Sequence, residues 1–212
     1  MRIAVFGATG KVGRLVTEQL LTAGHEVTVL VRTPDKLTID HPGLAVRIGQ
    51  LSDAATVRDV VVGSDAVISA LGPSLRRGAR GTPVTDGTRS IVAAMQETGV
   101  RRFIGLATPS VPDPRDGPTF KAKLLPLIAA VSFPNALTEL RGMTAAVMGS
   151  ELDWTLARIT NPTDRPAKAT VRAGFLGRDA IGWAMTRADI AAFLVGQLTD
   201  TTYVRAAPAI SN

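Results

Sequence analysis

Gly7, Gly10 and Gly13 fall at G-x-x-G-x-x-G spacing in the run Gly7-Ala8-Thr9-Gly10-Lys11-Val12-Gly13. Glycine permits a tight turn and lets a ligand approach bare backbone. Where such a run leaves a strand and opens a helix, the unpaired N–H groups of the first turn and the helix dipole attract phosphate. The chemistry this implies is capture of a pyrophosphate. A second cluster, Val31-Arg32-Thr33-Pro34-Asp35-Lys36, stands where a carboxylate would bind both ribose hydroxyls of NAD. Arg32 and Thr33 occupy that place instead, which favours the 2′-phosphate of NADP. Charge-assisted hydrogen bonds of about 1.5–3 kcal/mol correspond to roughly ten- to hundredfold preference. If Arg32 only stacks on adenine, NAD stays usable, and Asp35 partly offsets Lys36.

These residues need a strand, turn, helix and second strand in order, and the hydrophobic pattern supplies them. Residues 3–6 read as a buried strand, 11–23 as a helix closed by Gly24, and 26–31 (EVTVLV) as a second strand. The alternation continues with a strand at 45–48, a helix near 54–62, a strand at 66–70, a helix at 84–97 closed by Gly99, and a strand at 102–107. Repeated β-α-β units predict an α/β fold: one doubly wound domain over 1–212, with a mainly parallel sheet flanked by helices. Residues 108–119 hold four of the 13 prolines and read as loop. An apolar helix or lid is expected at 121–133, interrupted at Pro126, then a helix at 135–148 and a strand at 153–158. Thr186 with Asp189 has the spacing of a helix cap for a helix through 190–198. A last strand is expected at 203–206.

Composition narrows the function classes. The 212 residues contain no cysteine and two histidines, His25 and His41, so no metal centre is expected. The net charge is +6, but the basic residues are scattered and only 4% of residues are aromatic, which disfavours nucleic acid. The apolar run after Met1 is too short for a signal peptide or membrane span, so no membrane partner and a cytoplasmic location are expected.

Seven short runs in order carry a family resemblance. They are Gly7-Ala8-Thr9-Gly10 with Gly13, Val29-Leu30-Val31-Arg32, Asp65-Ala66-Val67-Ile68 with Ala70-Leu71-Gly72, Gly87-Thr88-Arg89-Ser90-Ile91-Val92-Ala93-Ala94, Gly99-Val100-Arg101-Arg102-Phe103, Leu152-Asp153-Trp154-Thr155, and Arg187-Ala188-Asp189-Ile190-Ala191. The chain resembles the atypical short-chain dehydrogenase/reductases, NAD(P)H-binding Rossmann proteins that include NmrA-like regulators and biliverdin reductase B/flavin reductase enzymes. The resemblance implies cofactor contacts from Gly7, Thr9, Gly10, Lys11, Val12 and Gly13. It also implies Arg32 and Thr33 at the adenosine phosphate, and Ala70, Leu71 and Gly72 at the pyrophosphate or ribose. It places Thr108 near the nicotinamide and Arg158, Ile159 and Asn161 along its other side. The family's usual Gly-Asp after the third strand is Gly49-Gln50 here, so the adenine contact falls to Gln50 or Leu51.

The catalytic residues are less clearly marked. The superfamily's Tyr-x-x-x-Lys pair is absent: the one tyrosine is Tyr203, and position 207 is alanine. Thr108, Ser110 and Asn161 are the candidates to orient an acceptor, each also readable as a turn residue. None titrates near neutrality. An acceptor that solvent can protonate once reduced, such as a flavin or quinone, is therefore expected over a simple ketone. Two readings remain open beside that reductase: a non-catalytic NADP-binding redox sensor, and an epimerase or isomerase. Arg76, Arg77 and Arg80 form a basic loop that could close over phosphate or stay solvated. The apolar run 124–133 could cover an acceptor, pack in a homodimer or fill the core of a monomer.

Overall fold

Apolar strands that run without polar alternation must be covered on both faces. In the computed structural model, described over residues 1–76, 79–118 and 133–212, this is the arrangement. Strands β1 (Arg2–Phe6), β2 (Glu26–Val31), β3 (Leu44–Ile48), β4 (Ala66–Ser69), β5 (Arg102–Ala107) and β6 (Asp153–Arg158) lie parallel in the order β3-β2-β1-β4-β5-β6. Ala4 and Phe6 of β1 point into one core, with α2 (Ala54–Val61), α3 (Pro83–Thr98) and α4 (Pro134–Met148). Ile3 and Val5 point into the other, with α1 (Lys11–Thr22) and α5 (Arg187–Gly196). The fold is a single doubly wound α/β domain of Rossmann type.

The C-terminal part departs from the expected pattern. Residues 203–206 form turns, with Arg205 at φ 53° and only an isolated bridge from Ala206 to Thr155. The closing strand lies further on and is one of four three-residue strands. These are β7 (Asn161–Thr163), β8 (Arg172–Gly174), β9 (Ala184–Thr186) and β10 (Ala209–Ser211). β10 joins the main sheet beside β6 and pairs antiparallel with β8. β7 and β9 make a separate parallel ladder. Three residues are too few for periodicity to register. The cap at Thr186 is present, its hydroxyl accepting from the amide of Asp189. The helix expected at 121–133 lies outside the described residues except for Phe133.

Strand order reverses between β1 and β4, and in open α/β sheets ligands bind at the carboxyl ends beside that switch point. Gly7 follows β1 and Ala70 follows β4, so the glycine turn sits there.

Candidate active site

Steric facts at the turn explain its glycines. Gly7 has φ +85°, a left-handed conformation, and a Cβ on it would lie 3.0 Å from the Ala70 carbonyl carbon and oxygen. A Cβ on Gly13 would stand 2.0 Å from the Gly7 carbonyl oxygen, so only glycine lets α1 begin this close to β1. The amide of Gly10 donates to the Gly7 carbonyl at 2.9 Å, closing the turn. Gly10 is the N-cap of α1 and offers no capping side chain, and no acid lies in the first turn. The first-turn amides of α1 thus have no capping side chain, the condition under which a helix start can take a phosphate group.

A cleft of about 880 Å³ opens there. Gly7 and Thr9 form its floor, Arg32, Gln50 and Leu51 one wall, and Leu71, Gly72 and Arg80 another. Its volume is within the roughly 300–1,000 Å³ usual for ligand sites. Arg32 is exposed at the end of β2, and among the described residues no carboxylate lies within ion-pair distance of it. Thr33, outside the cleft lining, stands at the N-cap position of a short 3₁₀ turn at Pro34–Lys36 without a side-chain capping bond. Asp53 caps α2, its carboxylate accepting from the amides of Ala55 and Thr56 and from the Thr56 hydroxyl. Gly87 lets α3 rest on Leu51, since a Cβ there would lie 2.7 Å from the leucine Cβ. The Thr56 hydroxyl, aided by the helix amides, holds the Asp53 carboxyl below its ordinary pKa.

The remaining candidates divide. Lys11 turns out of the cleft and pairs with Asp164 at 2.9 Å, and Arg187 reaches the same carboxylate at 2.6 Å. The hydrogen bond from Lys11 leads in lowering the Asp164 pKa. Val12 is half-buried against the α1/α5 core. Ala70 backs the turn rather than lining the cleft. Thr108, half-buried at the end of β5, shares a 2.7 Å hydrogen bond with the buried Ser110. Asn161 is exposed on β7, in a two-stranded ladder with β9 rather than in a turn.

Arg158 differs from the cofactor contact expected of it. Its side chain is fully buried and grips Asp116 with two hydrogen bonds, 2.6 and 2.7 Å, while donating to the Val111 carbonyl at 3.1 Å. The guanidinium thus suspends the β5 loop from β6, and Ile159, whose amide donates to the Ala107 carbonyl, packs against the α1/α5 core rather than lining the cleft. Burial works to raise the Asp116 pKa, but Arg158 and the amides of Asp113 and Leu176 outweigh it and the net shift is downward. Tyr203 is no proton donor to the site: its hydroxyl donates to the Ala173 carbonyl, and burial raises its pKa.

One buried acid gave no sequence signal. Glu139 of α4 lines the cleft, is 2% exposed, and accepts from the amides of Val84 and Thr85 in the first turn of α3. It is the missing N-cap of α3, supplied from another helix. Beyond it, Ser110, Asp116, Arg141, Thr144 and Met148 border a second cavity of about 490 Å³. No metal-holding cluster of His, Cys, Asp or Glu occurs among the described residues, nor a helix long and apolar enough to cross a membrane.

Comparison with known proteins identifies the family and the fold. The profile of the NAD(P)H-binding family matches residues 7–201. An uncharacterised protein of Mycobacterium tuberculosis is 37% identical over 105 residues, which is 49% of this chain and 12% of that protein. The (4-alkanoyl-5-oxo-2,5-dihydrofuran-3-yl)methyl phosphate reductase of Streptomyces griseus is 33% identical over 112 residues, 53% of this chain and 36% of the enzyme. The chain thus matches only a minor part of these longer relatives. A Veillonella parvula short-chain dehydrogenase/reductase solved in complex with NADP shares the fold, with TM-score 0.79 at 19% identity, covering 100% of this chain and 94% of the other.

Proposed function

The chain belongs to the NAD(P)H-binding family, and on that premise we propose that it is an NADPH-dependent reductase passing hydride to a planar acceptor such as a flavin or quinone. The observation that carries this reading is the pairing of a glycine-floored cleft at the switch point with Arg32, not an acid, in its adenosine wall. Gly7, Thr9 and Gly10 would hold the pyrophosphate by backbone, and Leu71 and Gly72 would flank it. Arg32 would meet the 2′-phosphate, with Gln50 and Leu51 against adenine. When bound, the reduced dinucleotide supplies the hydride. Thr108 and Ser110, hydrogen-bonded to each other at the end of β5, orient rather than protonate. Since Tyr203 is engaged elsewhere, solvent provides the proton, which suits acceptors that are readily protonated once reduced. The named reductase among the relatives favours the same reaction class.

The test is loss of NADPH absorbance at 340 nm with FMN, riboflavin and menadione in turn. Turnover with any of them supports the proposal. Tight, redox-dependent nucleotide binding with every acceptor inert would replace it with a cofactor-sensing regulator.

A further inference from the structure

The second cavity is walled mainly by carbon. The Thr144 hydroxyl donates back to the Leu140 carbonyl at 2.8 Å, leaving its methyl group with Ala145 and Met148 as the α4 side. Ser110 is tied to Thr108. Asp116, the one acid on the wall among the described residues, has both oxygens occupied. One accepts from Arg158 and the Leu176 amide, the other from Arg158 and the Asp113 amide. Its charge is therefore neutralised by a buried guanidinium. Arg141 is different: it is exposed at the wall, and among the described residues no carboxylate lies within ion-pair distance of it. Among the described residues the cavity thus joins an apolar slot to the uncompensated cation of Arg141. The Thr108–Ser110 pair links it to the end of β5, the strand next to β4, whose end carries Leu71 and Gly72 in the cleft.

We propose that this cavity seats the acceptor and selects one with a flat apolar body and an anionic group, Arg141 being the counter-ion. The inference rests on the reductase reading for the reaction, but not for the binding. The volume of about 490 Å³ accommodates a fused-ring body. With FMN the reaction balances as one hydride and one solvent proton taken up by the flavin, and NADPH oxidised to NADP⁺.

FMN and riboflavin share a ring system and differ in the phosphate, so they isolate the charge. Flavin fluorescence quenching is measured on the whole protein saturated with NADP⁺, which keeps FMN out of the nucleotide cleft. FMN should bind at least about threefold more tightly, as expected of a partly solvated ion pair, with the gap narrowing as salt rises. Arg141→Met should close the gap and Arg141→Lys retain part of it. Ala145→Phe, projecting into the cavity, should abolish FMN binding while NADP⁺ affinity persists. A naphthoquinone carrying a carboxylate, compared with menadione, extends the test. Preference in both pairs means that any anion serves, and preference for FMN alone identifies phosphate. Equal binding of the two flavins, a gap unmoved by Arg141→Met, or FMN binding that survives Ala145→Phe would overturn the inference. If FMN binds through Arg141 yet NADPH is not oxidised, the cavity assignment stands and the reductase reading fails.

Discussion

Asp116→Asn tests whether charge holds the β5 loop on β6. Arg158 is wholly buried and places two of its N–H groups on the Asp116 oxygens at 2.6 and 2.7 Å. Asparagine fills the same volume, so no cavity contributes. It keeps one acceptor but turns an amide N–H against a guanidinium N–H, leaving a buried cation with the Val111 carbonyl as its other partner. Removing one member of a buried pair costs about 3–5 kcal/mol, and the retained acceptor sets the expectation at about 3 kcal/mol. Arg158→Met removes the buried cation, and Asp116, which borders the cavity and keeps two amide donors, is left with water within reach. It should cost less, about 1–2 kcal/mol. In urea melts followed by circular dichroism, a slope of about 2 kcal/mol/M converts the larger loss into a midpoint lowered by about 1.5 M. The pH dependence follows from the depressed Asp116 pKa. Its contribution is complete above the ordinary carboxylate range and disappears as pH falls through the lowered folded-state value. The gap between wild type and Asp116→Asn must therefore shrink toward acid. An Asp116→Asn cost under about 0.5 kcal/mol, a gap independent of pH, or a costlier Arg158→Met would refute this account.

Other perturbations address the cleft. Gly13→Ala forces a methyl group to within 2.0 Å of the Gly7 oxygen. It should cost about 1–3 kcal/mol and shrink the stabilisation by NADPH, which at 100 times Kd is about 2.7 kcal/mol in the intact site, as thermal melts with and without nucleotide would show. Arg32→Asp should weaken NADPH by roughly ten- to hundredfold and NADH much less, and equal weakening by calorimetry would contradict the assigned role. Glu139→Ala leaves the Val84 and Thr85 amides without their acceptor. The expected loss is about 2–4 kcal/mol, with faster amide exchange confined to the start of α3; protection as in wild type would exclude the trans cap.

The parts of this molecule legible in sequence are those built from local pattern. Gly7, Gly10 and Gly13 announced the turn because steric demands at a strand-to-helix junction fall on neighbouring residues, and Arg32 was found by its distance along β2. Pairings across the fold left no such trace. The resemblance implies a cofactor contact for Arg158, whereas the side chain pairs with Asp116, 42 residues upstream. Glu139 looked like any helix glutamate. Its role depends on α3 and α4 crossing so closely at Gly142 that a Cβ there would meet the Thr85 hydroxyl oxygen at 2.5 Å. Asn161 reads as a turn residue in sequence because a three-residue ladder containing Pro162 carries no periodic signal. The position of Lys11 was legible, but its pairing with Asp164, on a segment 153 residues away, was not.

Helix α4 turns Asn135 and Glu139 to one hollow and Arg141, Thr144 and Met148 to the other. A mutation that rotates or slides this helix to reshape one chamber must also disturb the anchorage of α3 in the other. A lineage changing its substrate in this scaffold would thus be driven to single side-chain exchanges along the outer row of α4, with the inner row held constant.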